Sequence, residues 1–197
     1  MIEEHLYFEI AKNYGKVASW AIWDKAGDKP KSNISNMSIF NLSKNPSTLN
    51  TLRTNVVMVG LNFSREVEMT ESFLNFHDSN PYAQDYKIRF AFEETIFYGA
   101  YMTDIIKDYP MLSSKDVLKY LKDRPDEISR RVDKFREELR FIGSYKPIIL
   151  AFGRDAFNIL NKNLDKSEYS ELIQLTHYSH QISKENYRID THARIGI

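Results

Sequence analysis

Asn55-Val56-Val57-Met58-Val59-Gly60 and Pro147-Ile148-Ile149-Leu150-Ala151-Phe152-Gly153 share one pattern, an unbroken apolar run that ends on glycine. A run without polar alternation suits a strand buried on both faces, the habit of parallel sheets covered by helices. The second run leads straight into Arg154-Asp155-Ala156-Phe157-Asn158-Ile159-Leu160, whose apolar spacing predicts a helix packed back on the sheet. That strand-turn-helix unit decides the fold class.

Working outward, Ile128, Val132, Phe135, Leu139 and Ile142 recur at intervals of four and three, which predicts a helix over about 126–142 after a shorter one over 114–122. Pro125-Asp126 is a suitable helix start. Segment 84–97 pairs Tyr86 with Phe90 and Ile88 with Phe92 at helical spacing, leaving Phe97 to Ile106 as the next strand. Residues 2–13 read as a helix and Val17 to Trp23 as a strand. Between Asp24 and Asn50, Gly, Pro, Ser, Asn and Lys dominate, so a long connection is expected there, with one short strand at Met37 to Leu42. Leu172 to Thr176 supplies a last short strand. Strands alternating with helices predict a parallel or mixed sheet covered on both faces.

The 197 residues, 42% apolar and 13% aromatic, suffice for one domain, 1–197, with a sizeable core. There is no cysteine, so disulfides, thiolate nucleophiles and thiolate zinc ligands are excluded. The acidic start Met1-Ile2-Glu3-Glu4-His5 lacks a signal-peptide pattern, and no stretch reaches the ~18 apolar residues of a membrane span. A cytoplasmic protein without a membrane partner is expected. The 27 basic and 27 acidic side chains cancel, which argues against broad, sequence-blind attraction to polyphosphate. Any contact with nucleic acid must then be local.

In open α/β sheets the ligand crevice lies beyond the carboxyl ends of the strands. Two loops stand there: Gly60-Leu61-Asn62-Phe63-Ser64 and Thr176-His177-Tyr178-Ser179-His180-Gln181-Ile182-Ser183. In the first, Gly permits a sharp turn and Asn62 offers a neutral side chain able to hold a water or a polar ligand. Read singly, Asn62 equally suits a turn after a strand, His177 a surface or satisfied core histidine, and Phe76 core packing.

In order, separation and placement after apolar strands, the two loops resemble the first and last motifs of the uracil-DNA glycosylase superfamily, Gly-x-Asn-Pro or Gly-x-Asp-Pro and His-Pro-Ser-Pro. The resemblance spans most of the chain and lies nearest the members with Asn in the first motif. It implies a three-layer α/β/α sandwich with a central, mainly parallel four-stranded sheet, and a pocket for an extruded base between the motif loops. It further implies that Asn62 positions the water attacking the sugar C1′ and that His177 donates a hydrogen bond to the departing base oxygen. Such a donor lowers the barrier because negative charge grows on the base as the bond breaks.

By the same resemblance Gly60, Leu61, Phe63 and Ser64 line the first loop, and Phe76 stacks on the base, with Phe73 competing for that role. Asp104 stands where the best-known members read the base edge with Asn, and Ser179 and Ser183 hold backbone phosphates. An ionised Asp104 only accepts hydrogen bonds, which suits a donor-rich base edge better than uracil. Asp104 equally reads as a helix cap or as half of an ion pair with Lys107. Phe63 replaces the proline of the first motif, and Tyr178 and His180 replace both prolines of the last. The implied partner is DNA, through a flipped or single-stranded base, and no metal or cofactor is required.

The other candidate sites are weaker. Gly153-Arg154-Asp155 follows a strand but lacks the repeated glycines and Gly-Lys-Ser of a phosphate loop. His77, His177, His180 and His192 with Asp78 show no zinc-binding spacing beyond the interval of three between His177 and His180. Lys184 and Arg188 stand where they could meet phosphates, although Lys184 beside Glu185 also reads as solvated helix surface. The leading expectation is a DNA glycosylase-like hydrolase. A non-catalytic member of the same fold, binding nucleic acid or a protein, is the alternative, and hydrolysis of a free nucleoside is the third.

Overall fold

The computed structural model describes residues 2–62, 71–107, 114–122 and 124–197. After helix α1 (Glu4–Tyr14) come the two-residue strand β1 (Ser19–Trp20), the short helix α2 (Thr48–Thr51) and the long strand β2 (Arg53–Asn62). Helix α3 (Tyr86–Phe92) precedes β3 (Ala100–Ile106), and α4 (Ser114–Lys122) and α5 (Pro125–Phe141) precede β4 (Ile148–Phe152). Helix α6 (Arg154–Asn163), strand β5 (Glu171–Leu175) and helix α7 (Lys184–Ile195) complete the chain.

The sheet has the order β1-β3-β2-β4-β5. Strands β3, β2, β4 and β5 are mutually parallel, and β1 runs antiparallel on the edge of β3. The α/β sandwich is as expected, but its sheet has five strands rather than four. The fifth is short: of the expected strand Val17 to Trp23, Ser19 and Trp20 stand in register with β3, and Ala21 adds one bond to the Ala100 carbonyl at the start of β3. Met37 to Leu42 is not a strand either. Asn36 accepts from the Ser38 amide and starts one turn of 3-10 helix at Met37–Phe40, a local bond that competes with any sheet pairing.

Alternation along each strand divides the core into two layers. Val57, Val59, Leu61, Tyr101, Ile149 and Ala151 face Ile10, Val117, Leu121, Val132, Phe135, Leu139 and Leu160, from α1, α4, α5 and α6. Val56, Met58, Ala100, Met102, Leu150, Phe152 and Leu175 face Ile88, Ala91, Phe92 and Tyr187 from α3 and α7. Helices therefore cover both faces. The long connection 24–50 is pinned to the second layer by Arg89, whose guanidinium donates to the carbonyls of Asp24 and Pro30.

Helix α5 carries one buried carboxylate, Glu138, into the first layer. Its Oε1 accepts from the Tyr101 hydroxyl at 2.8 Å and the Thr103 hydroxyl at 2.9 Å, and its Oε2 lies 2.6 Å from Lys107 Nζ. Lys107 also donates to the backbone carbonyl of Asp104. Satisfied in this way, a buried charge is tolerated and ties α5 to the carboxyl end of β3. That end carries the site.

Candidate functional site

Gly60 does not turn the chain, as its place after an apolar run suggests. Strand β2 continues to Asn62, and Gly60 pairs in register with Asp104 of β3. The glycine is required by proximity, since a Cβ there would lie 2.2 Å from Asp104 Oδ1 and 3.8 Å from the Phe76 ring. Asn62, half-buried, lies two residues further on and shares the face of Gly60 and Met58. Leu61 points the opposite way, into the first core layer, so its side chain packs there rather than beside Gly60 and Asn62. Phe63 and Ser64 lie outside the described residues.

Asp104 is 4% exposed, and burial pushes its carboxyl up from 3.8 to about 7. Glu138 and Asp85 add to the rise, whereas the Asn75 amide and the charge of Lys107 oppose it. It is no helix cap, and Lys107 forms its ion pair with Glu138 rather than with Asp104. Asn75 donates from Nδ2 to Asp104 Oδ2 at 3.1 Å and to the Val17 carbonyl at 2.9 Å, while its own Oδ1 accepts from the Phe76 amide. Nothing in the sequence marked Asn75, because its partners are remote along the chain.

Of the two competing aromatics, Phe76 is at the site. Phe73 packs with Tyr7, Trp20 and Phe40 in the other layer. Phe76 adopts φ +63, a conformation that side chains with a Cβ rarely take, and is held there by Asn75 and by the Trp23 indole, which donates to its carbonyl at 3.4 Å. Its ring lies 6.4 Å from both Phe152 and Tyr178, and these two meet edge to face at 5.2 Å. Tyr178 in turn stacks on His177 at 4.4 Å.

His177 follows β5 and is half-buried against Gly153, whose φ of +89, a conformation that favours glycine, opens helix α6. The Ser179 amide donates to His177 Nδ1 at 3.2 Å, and the Ser179 hydroxyl lies 2.7 Å from the same nitrogen. An amide can only donate, so Nδ1 is an acceptor and Nε2 carries the hydrogen of the neutral ring. Loss of hydration lowers the His177 pKa to about 4, which keeps the ring neutral at pH 7. Ser179 thus orients His177. Ser183 caps α7 by accepting from the Asn186 amide at 3.1 Å.

Contacts therefore run without a break from Asp104 through Gly60, Phe76 and Tyr178 to His177 and Gly153. Asn62 and His177 stand at the ends of β2 and β5, which flank β4, so two strand spacings of about 10 Å separate their strands. No family model, curated protein or solved structure matches this chain. The groups gathered along these contacts are a neutral imidazole donor, a carboxyl raised to about 7, a carboxamide and aromatic faces. Among the described residues no three His, Asp or Glu side chains cluster to hold a metal ion. The ring nitrogens of His77 face the Asn75 and Ile22 carbonyls at 2.9 Å each, and His192 Nε2 faces the Ala91 carbonyl at 2.7 Å.

Among the described residues, several basic side chains on this side of the sheet are committed to other contacts. Lys87 donates to the His180 carbonyl at 2.8 Å and so braces the loop that carries His177. Lys184 pairs with Glu185 at 2.6 Å and lies 3.7 Å above the Phe90 ring, where Arg188 also approaches. Two surface depressions, of about 290 and 410 Å³, lie elsewhere, beside Phe8 and Leu42 and beside Ile173 and Arg194.

Proposed function

We propose that this chain hydrolyses an N-glycosidic bond, releasing a damaged or deaminated base from a flipped or single-stranded position in DNA. The observation that supports it best is the Ser179 amide donating to His177 Nδ1, which leaves Nε2–H as a fixed, neutral donor at the end of β5. Such a donor stabilises negative charge building on a leaving base while a proton stays on the imidazole. Asn62 cannot act as an effective base, so its part is to hold the water whose oxygen bonds to C1′ as the bond from C1′ to the base nitrogen breaks. The released base takes a proton from water, and Phe76 offers an aromatic wall to it, worth ~1–3 kcal/mol where a base stacks.

The test is excision from labelled single-stranded and mismatched oligonucleotides carrying uracil, hypoxanthine or xanthine, followed by alkaline cleavage of abasic sites. His177→Ala is expected to lower the excision rate by about 10²- to 10³-fold, the usual loss for one such donor. Asn62→Ala is expected to abolish excision without loss of fold. Undiminished excision by Asn62→Ala removes that residue from the mechanism, and no excision by well-folded wild-type protein rejects the hydrolase. The balanced charge favours a second reading, a non-catalytic module that binds nucleic acid or a protein. Salt-dependent oligonucleotide binding without product would support it.

A further inference from the structure

Strand β5 ends the sheet: it pairs with β4 on one side and with no further strand among the described residues. The Gly153 amide donates to the Leu175 carbonyl at 2.9 Å, so the backbone groups of Leu175 and, by alternation, of Ile173 face β4. Those of Leu172 and Gln174 face outward. The Gln174 carbonyl accordingly accepts from the Arg194 guanidinium at 3.2 Å, on the side away from β4. An outward row of this kind is a template for another strand. Residues 171–175 hold no proline, lysine or break in register, the usual guards of an edge, and Leu172 and Ile173 are only half-buried.

This edge is complementary to itself. Laid antiparallel about a two-fold axis at Ile173, Leu172 of each copy stands opposite Gln174 of the other, and these outward-facing residues exchange N–H···O bonds in both directions. Ile173 meets the partner's Ile173 at the closely spaced, non-hydrogen-bonded position. Leu175 stands opposite the partner's Glu171, which brings that carboxylate beside Arg194. Both charged side chains are exposed, and Arg194 is held near Gln174 by its bond to that carbonyl and by Asp190 at 2.9 Å. A depression of about 410 Å³, lined by Glu171, Leu172, Ile173, Arg194, Ile195 and Gly196, lies along the same edge. We propose that two copies of this chain dimerise by antiparallel pairing of their β5 edges, with Arg194 moving from the Gln174 carbonyl to the partner's Glu171. The two sheets become one, and the strand ends that carry His177 point away from each other. The pairing does not depend on what the crevice binds.

Sedimentation velocity on the whole chain from about 5 to 500 µM is expected to show a monomer–dimer equilibrium with Kd of about 10–100 µM, as suits an interface at the small end of the specific range. In the dimer the Leu172 and Gln174 amides should gain protection from hydrogen exchange, while those of Ile173 and Leu175 are protected in both states. Glu171→Arg sets like charges together and is expected to raise Kd about tenfold or more, and adding Arg194→Glu should restore dimerisation. Both positions are exposed, so the variants should keep the wild-type urea midpoint. A chain that stays monomeric at about 500 µM overturns the proposal and leaves the edge to a foreign strand. So does a dimer indifferent to Glu171→Arg or lacking new protection at Leu172 and Gln174. Tighter dimerisation by Arg194→Ala would also overturn it, because Arg194 would then guard the edge instead of pairing across it.

Discussion

A carboxyl moved from 3.8 to about 7 carries an ionisation cost of about 4 kcal/mol once both folded and unfolded chains are ionised. Below pH 4 both states are protonated and Asp104 costs nothing; between pH 4 and 7 the unfolded chain loses a proton that the folded one keeps; above pH 7 the whole cost is felt. Asp104→Asn is therefore expected to raise the urea midpoint at pH 8.5 and leave it unchanged near pH 4. Gly60→Ala sets a methyl 2.2 Å from Oδ1 and is expected to cost about 1–3 kcal/mol in the same assay, because the carboxyl must leave its place. Excision should fall on the acid side near pH 4, where a proton on His177 Nδ1 faces the Ser179 amide and breaks the bond that orients the ring. An acid limb near pH 6.5 would mean that His177 is not withdrawn from water.

Elements position these residues through a few buried polar ties. The segment 73–77 holds two non-glycine residues at positive φ, Phe73 and Phe76, and His77 anchors it by facing the Ile22 and Asn75 carbonyls. The Ser19 hydroxyl adds a donation to the Phe73 carbonyl at 2.6 Å. His77→Ala leaves buried carbonyls unmatched and is expected to destabilise the chain by about 2–4 kcal/mol, read by denaturant unfolding, with loss of base binding before loss of fold. Glu138→Ala strands Lys107 and two hydroxyls and is expected to cost about 3–5 kcal/mol. The helices of this layer were legible: Ile128, Val132, Phe135, Leu139 and Ile142 announce α5, and Pro125 occupies its first position. The irregular segments were not. Met37–Phe40 became a helical turn because Asn36 bonds locally, and the ties of Asn75 and His77 have no period to reveal them.

At the scale of the whole molecule the two signs of charge cancel, 27 against 27, and several of the described cations are engaged with backbone carbonyls. Lys31 donates to the Pro81 and Ala83 carbonyls, Lys87 to His180, and Arg89 to Asp24 and Pro30. Oligonucleotide affinity is thus expected to depend weakly on salt, with log K falling against log salt with a slope of about −1 to −2, the mark of one or two phosphate contacts. A slope steeper than about −5 in fluorescence anisotropy titrations would mean that a broad basic track exists. Among the described residues no helix is long and apolar enough to cross a membrane.

From its sequence alone this chain could be assigned an α/β sandwich, the apolar strands that became its parallel sheet and the strand ends near Asn62 and His177, because apolar periodicity is a property of neighbouring residues, whereas the stop expected at Gly60 did not occur. The order of the strands, the antiparallel fifth one and the choice of Phe76 over Phe73 required the folded chain. So did the tie between Asn75 and Asp104 and the tautomer of His177. Each of these depends on contacts between distant segments, and the titration of Asp104 and His177 depends on how far water is excluded from them, a quantity that exists only once the chain has closed around them.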